Sequence, residues 1–280
     1  MRNILAFGVF LLLALAACKN DNKSGNANAE ETNATTLQGF WVPIDFCARA
    51  GKEGSVLKAM NNYNKPYSYA LGFDSGSPDS VTCYNGFEKW KMPVLYRKDT
   101  LEIPKVNGDL SIYLIYDPET NKDLTMFNGV HGRTEINRYT LSRAQVMDGY
   151  SAFLIALNNS VMGGNFKSAS GEQVRFAPDG TVKGLKGYDK YELCTGGDCV
   201  VMQNLDVITM KDSGKPDSQQ MFGYRFSAAK DSLLIYNLIN NNPAEKGNYS
   251  QGAVVHTLLK QGVKPAKPVP PAQQPAKPSK

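Results

Sequence analysis

The stretch YSYALGF, residues 67–73, alternates large apolar or aromatic side chains with small ones. Period two is the mark of a β-strand, because successive side chains leave opposite faces. Tyr67, Tyr69, Leu71 and Phe73 share one face, and Ser68, Ala70 and Gly72 share the other. The pattern recurs in LSIYLIY at 110–116, where Leu110, Ile112, Leu114 and Tyr116 alternate with Ser111, Tyr113 and Ile115. It returns in MFGYRFS at 221–227, with Phe222, Tyr224 and Phe226 on one side, and SLLIYNL follows after Ala229-Lys230-Asp231. Asp74-Ser75-Gly76, Asn107-Gly108, Asp117-Pro118, Pro178-Asp179-Gly180 and Gly196-Gly197 supply turn chemistry between the runs. Many short strands at close spacing predict an all-β chain of antiparallel meanders, folded as barrels or half-barrels.

The chain reads as two similar halves. Gly39-Phe40-Trp41 aligns with Gly164-Asn165-Phe166, and Ile112-Tyr113 with Ile235-Tyr236. RYTL at 138–141 and VHTLL at 255–259 close the two halves. Between them, Met147, Tyr150, Leu154, Leu157 and Val161 recur at helical spacing, with Ser142 and Gln145 as a capping box. A connecting helix over 142–162, covering the open end or seam of a barrel, is expected. A shorter helix is expected over 54–63. The resulting divisions are a β-domain over 37–141, the helix, and a β-domain over 163–260.

An opening strand with Gly-x-Trp, about eight meandering strands and roughly 100 residues per unit resemble lipocalin-like domains. Gly39 and Trp41 match that opening, and Phe166 replaces the Trp in the second half. The resemblance implies a structural Trp at the closed end of a barrel. A barrel of eight strands is either filled by side chains or holds one small ligand. Tyr67, Tyr69, Phe73, Phe222, Tyr224 and Phe226 are then the inward-facing candidates for ligand contact.

The N-terminus has Arg2 followed by an apolar run from Ile4 to Ala17, too short for a comfortable span and suited to a signal peptide over 1–17. Its end, Leu15-Ala16-Ala17-Cys18, resembles the lipobox of bacterial lipoproteins. That resemblance implies cleavage before Cys18, acylation of Cys18 by palmitate-like chains, and a lipid membrane as partner. Several acyl chains anchor firmly, at about 0.8 kcal/mol per buried CH₂. Lys19 stands where an Asp resembles an inner-membrane retention signal, so the expected address is the outer membrane, on its periplasmic face or at the cell surface.

Residues 18–36 carry no large apolar side chain beyond the lipidation site and read as a flexible tether, and 261–280 read as a disordered Pro/Lys-rich tail. The net charge of +5 comes from the two ends of the chain. Setting aside Arg2 and the five lysines of 260–280 leaves −1 for residues 19–259. A body so nearly neutral, without basic and aromatic residues interleaved, excludes a nucleic-acid partner.

Beyond Cys18, Cys47, Cys83, Cys194 and Cys199 form an even set in an exported chain, which predicts disulfides. Pairing within each half gives 47–83 and 194–199, the latter across a Thr-Gly-Gly-Asp turn. Residues that carry chemistry are sparse. His131 and His256 are isolated from other ligand types. Ser55–Lys58 and Ser227–Lys230 match SxxK, but no KTG accompanies them. DPETNKD at 117–123 lacks the Gly and Glu of a calcium loop. No metal, cofactor or catalysis is expected. The expected function is non-catalytic binding of a small apolar ligand or an envelope protein by an anchored lipoprotein. The alternative is a structural role in envelope assembly, with solid β-domains and the tail touching the cell wall or partner proteins.

Overall fold

The computed structural model describes residues 35–62, 66–97, 100–117, 123–128, 134–196, 205–215, 217–244 and 248–262. Cys18, His131 and Cys199 lie outside them, as do the signal, most of the tether and most of the tail.

Two antiparallel sheets form, each nearly closed into a barrel. The first holds β1 (Gly39–Pro43), β2 (Ala70–Phe73), β3 (Ser80–Tyr84), β4 (Lys89–Pro93), β5 (Leu95–Arg97), β6 (Thr100–Asn107), β7 (Leu110–Asp117), β8 (Asp123–Asn128) and β9 (Thr134–Leu141). First and last strands pair, with Trp41 opposite Leu141. The order breaks only between β4 and β5, which the single residue Val94 separates. They are two halves of one bent strand, which pairs first with β3 and then with β6. The result is an eight-stranded meander that leaves no long open edge, the feature that invites strand-to-strand aggregation.

The second sheet holds β10 (Gly164–Ser168), β11 (Gln173–Phe176), β12 (Val182–Lys183), β13 (Lys190–Leu193), β14 (Asp206–Lys211), β15 (Gln220–Phe226), β16 (Ser232–Asn240) and β17 (Tyr249–Lys260). Again the first strand meets the last, with Phe166 opposite Lys260. A bridge between Thr181 and Lys190, and the Val182 N–H donating to the Asp189 carbonyl at 2.9 Å, draw β12 and β13 together.

The doubling extends to strand register. Gly39 faces Phe73 and Trp41 faces Leu71; Gly164 faces Phe176 and Phe166 faces Val174. Gly39 and Gly164 both take positive φ, 124° and 150°, where a side chain is strained. The Ile112/Ile235 alignment does not hold, since along the chain β7 is the third from last strand of its sheet and β16 the second from last. Alternation had matched two strands that are not topological equivalents.

Two cores result. The first barrel is filled by its own side chains: Trp41, Leu71, Leu101, Leu114, Leu124 and Met126 are each at most 1 % exposed. The Trp41 indole N–H donates to the Leu37 carbonyl at 2.7 Å. The second core joins the inner face of the second barrel (Phe166, Phe176, Ile208, Leu258) to helices α1 (Ile44–Glu53), α2 (Val56–Asn62) and α3 (Gly149–Val161). It also takes in Val42 and Ala70, neighbours of the inward Trp41 and Leu71 and so on the outer face of the first barrel. The helices are thus a layer shared by both barrels.

Close approach builds that layer. A Cβ on Gly51 of α1 would lie 2.5 Å from the Ser160 carbonyl oxygen of α3, and one on Gly149 would lie 2.7 Å from the Tyr84 ring. α1 was not expected from sequence, yet its signals are conventional. Asp45 lies in the first turn, Lys52 in the last, and Gly54 ends the helix in the left-handed region at φ 65°.

Three expectations need correction. The connecting helix starts at Gly149, not 142, because the Asp148 carboxylate caps it, accepting from the Ser151 N–H at 2.9 Å and the Ser151 hydroxyl at 2.7 Å. Ser142 accepts instead from the Ala144 N–H at 3.2 Å, and Met147 is exposed. The 47–83 disulfide is absent, for Cys47 and Cys83 are free buried thiols in different cores. Tyr69 does not face the first lumen: β2 begins only at Ala70, and Tyr69 turns into the helical layer.

Candidate functional site

The six aromatic candidates fall into separate places. Phe73 is buried in the first lumen, and Tyr67 packs at its margin with its ring edge-on to Trp90 at 6.2 Å. Tyr69 stacks on Phe153. Phe222, Tyr224 and Phe226 come together on the second core, where Phe226 lies against Gly54 at the α1–α2 corner. All six serve as packing surface.

A second set, which the strand pattern did not pick out, surrounds a half-open groove of about 600 Å³ beside α3. Ser151, Leu154, Ile155 and Asn158 line it from one face of the helix, at i, i+3, i+4 and i+7. Val146 precedes them, and the turn Pro178–Gly180 forms one end. The other wall is the β13–β14 pair. Its register sets Lys190 opposite Lys211, Tyr191 opposite Met210, and Glu192 opposite Thr209. Tyr191 and Met210 are buried inward, so the alternate residues Lys190, Glu192, Thr209 and Lys211 present the outer face to the groove.

The polar groups are unevenly engaged. The Asp179 carboxylate accepts from the Thr181 N–H at 2.9 Å, and these turn hydrogen bonds hold its carboxyl below the usual range. Glu192 lies beside the Tyr150 hydroxyl. Lys190 donates to the Thr181 hydroxyl at 3.3 Å, and neither Lys190 nor Lys211 forms an ion pair among the described residues. Asn158 is 3 % exposed; its amide N–H donates to the Pro178 carbonyl at 3.0 Å, while its Oδ1 accepts nothing.

Next to the groove, a pocket of about 120 Å³ lies between Gly86, Phe87, Tyr150 and Thr195. The Tyr150 and Thr195 hydroxyls are 2.8 Å apart, and the Tyr69 hydroxyl donates to the Thr195 carbonyl. Burial pushes the Tyr150 phenol up to about 12, so it stays protonated at neutral pH. Cys194 starts this loop and is disulfide-bonded.

The motifs weighed for catalysis have structural duties. The Ser55 oxygen accepts from the Lys58 N–H at 3.0 Å and so caps α2. Ser227 donates to the Asp231 carboxylate at 2.6 Å within a turn. His256 sits in β17, its pKa lowered by burial, and is neutral at pH 7. Among the described residues no group of His, Cys, Asp and Glu is arranged to hold a metal ion, and no helix is long and apolar enough to cross a membrane.

No family model, curated protein or solved structure matches this chain.

Proposed function

We propose that this protein is a lipid-anchored envelope lipoprotein that binds a small ligand without catalysis, using the α3 groove rather than a barrel lumen. Cys18 carries the acyl anchor, and the lipocalin-like barrels form a rigid frame beside the outer membrane. The observation that carries this reading is the contrast between a first barrel filled by buried side chains and an open groove of about 600 Å³ with an apolar helical wall and polar strand residues opposite. Binding sites are typically clefts of about 300–1,000 Å³ with apolar walls and a few placed polar groups. The bridge 194–199 belongs to the same proposal, as a clasp on the loop that carries Thr195. Native mass spectrometry of the protein purified from its own cells is the test. A retained molecule, lost on Ile155→Glu, is expected; a spectrum of bare protein in every preparation overturns the reading.

The packed first barrel also favours a second reading, a structural role in envelope assembly through the tail. Deletion of residues 264–280 then releases partner or cell-wall material from the purified protein. Unchanged co-purification removes this reading.

A further inference from the structure

We propose that two copies of this chain pair through the free edge of β17, strand against antiparallel strand about a two-fold axis, so that their β16–β17 ribbons become one four-stranded sheet. This surface lies apart from the α3 groove and is independent of the binding reading above.

Strand pairing locates the edge. β17 meets β10 only at Leu258, Leu259 and Lys260. β10 ends at Ser168, whose N–H donates to the Glu172 carbonyl at 2.9 Å as the chain turns into β11. On its other side β17 stays paired with β16 as far as Tyr249, opposite Asn240. From Tyr249 to Thr257, therefore, β17 has a strand on one side and, among the described residues, none on the other. At about 3.4 Å per residue, that edge is about 30 Å long. Its outward N–H and C=O groups are a template for a further strand.

Burial shows that the ribbon leaves the barrel. Leu233 and Ile235 of β16 are buried, whereas Asn237 and Ile239, next on the same face, are exposed. On β17, Gln251, Ala253, Val254, Val255 and Thr257 are all exposed. The ribbon thus carries Ile239, Val254 and Val255 past the rim into water. Two strands by themselves are marginal in water, and further strands stabilise them.

The sequence of the edge selects its occupant. Residues 249–259, YSQGAVVHTLL, contain no Lys, Arg, Asp, Glu or Pro, the residues that guard exposed edges. The remaining guard is a pair of bulges opposite Ile235–Leu238, which add twist. His256 is neutral at pH 7, so two copies of this edge meet with no like charges opposed. The chain's own Pro-rich tail lacks the regular N–H donors that a pairing strand needs. An antiparallel two-fold contact closes on itself. It also sets the two barrels at opposite ends of the shared sheet, because β17 joins β10 only from Leu258 onward. Copies held by the anchor proposed above share one surface, which raises their effective concentration.

Sedimentation velocity of the purified full chain over a hundredfold concentration range, combined with hydrogen exchange, is the test. The mass should rise from one chain to two with concentration, and the amides of residues 249–257 should exchange more slowly in the concentrated sample. Val254→Lys with Val255→Lys, at exposed positions, should weaken the dimer at least tenfold. The same variant should keep the unfolding midpoint of the dilute protein, so lost pairing is separable from lost folding. A one-chain mass at every concentration overturns the proposal. So does a dimer whose edge amides exchange at an unchanged rate, or one that survives both lysines. Growth beyond two chains overturns the two-fold closure, and a foreign strand protecting the edge of a single chain overturns the second copy as occupant.

Discussion

The ring of Tyr69 lies on that of Phe153, with centroids 4.5 Å apart and planes 7° apart. Tyr69 leads into a strand of the first barrel and Phe153 belongs to α3, so the stack ties one barrel to the helical layer. Phe46 of α1 adds a third ring, 6.2 Å from Phe153 and 6.4 Å from Tyr69. Truncating a fully buried Phe costs about 3–5 kcal/mol. Phe153→Ala should therefore lower the urea midpoint of the whole chain in one transition. A second transition left at the original midpoint would show that one barrel is independent of the layer.

The shared core makes the halves unequal as isolated pieces. The inner face of the second barrel is continuous with α1 and α2, which lie earlier in the chain. Residues 163–260 expressed alone lose that cover. They should lack a cooperative thermal transition and bind a hydrophobic dye, whereas the full chain shows a single transition and no dye binding.

Asp206, at the start of β14, accepts from the Leu57 N–H of α2 at 2.9 Å and lies 3.5 Å from the Tyr224 hydroxyl. Burial raises its carboxyl above the usual value, outweighing those hydrogen bonds. A raised native pKa means that the folded state holds the proton more tightly. Its contribution to stability is full below the unfolded value of about 3.9 and is lost as pH rises through the raised native value. Asp206→Asn keeps an acceptor for Leu57 and does not titrate. Relative to the wild type, it should gain stability between about pH 4 and pH 7 and stop gaining above the native pKa. A difference that stays flat across this range would refute the assignment.

Cys47 and Cys83 should resist iodoacetamide in the native protein. Burial lifts the Cys83 thiol to about 12 and the Cys47 thiol further, so neither offers a thiolate at pH 8. In denaturant without reductant both should be alkylated at once, and Cys194 only after reduction. A modification count that shows Cys83 blocked before reduction would restore the bridge between the two.

Asn137 is fully buried in the first barrel with neither amide atom hydrogen-bonded. It ends a cross-strand row of Tyr96, Leu101, Leu114 and Met126. An unsatisfied buried polar group costs about 1–3 kcal/mol. Asn137→Leu should raise the unfolding midpoint, and a lowered one would mean that the amide has a partner after all.

Strand positions were legible because alternation and turn residues are local signals. Gly39-x-Trp41 and Gly164-x-Phe166 were legible for the same reason, and their shared register follows from it. The fate of Tyr69 was not, because its strand begins at Ala70, three residues later than the alternation implied. The start of α1 is hidden in the sequence because it follows β1 without a polar break at Pro43, although Asp45, Lys52 and Gly54 mark its ends. The groove was hidden for a different reason. Lys190 and Lys211 become opposed only once register is known, and Asn158 gains its meaning only against the Pro178 turn.

The two barrels open alike, but only the first inserts helices after its opening strand. Between β1 and β2 lie α1 and α2, whereas β10 passes to β11 by a short turn at Ser168–Glu172. The insertion and the linker α3 together make the layer, and the layer gives the groove its helical wall. Every residue that lines the groove comes from α3, the segment before it or the second barrel, so a second barrel cut off from α3 keeps only one wall of the cleft.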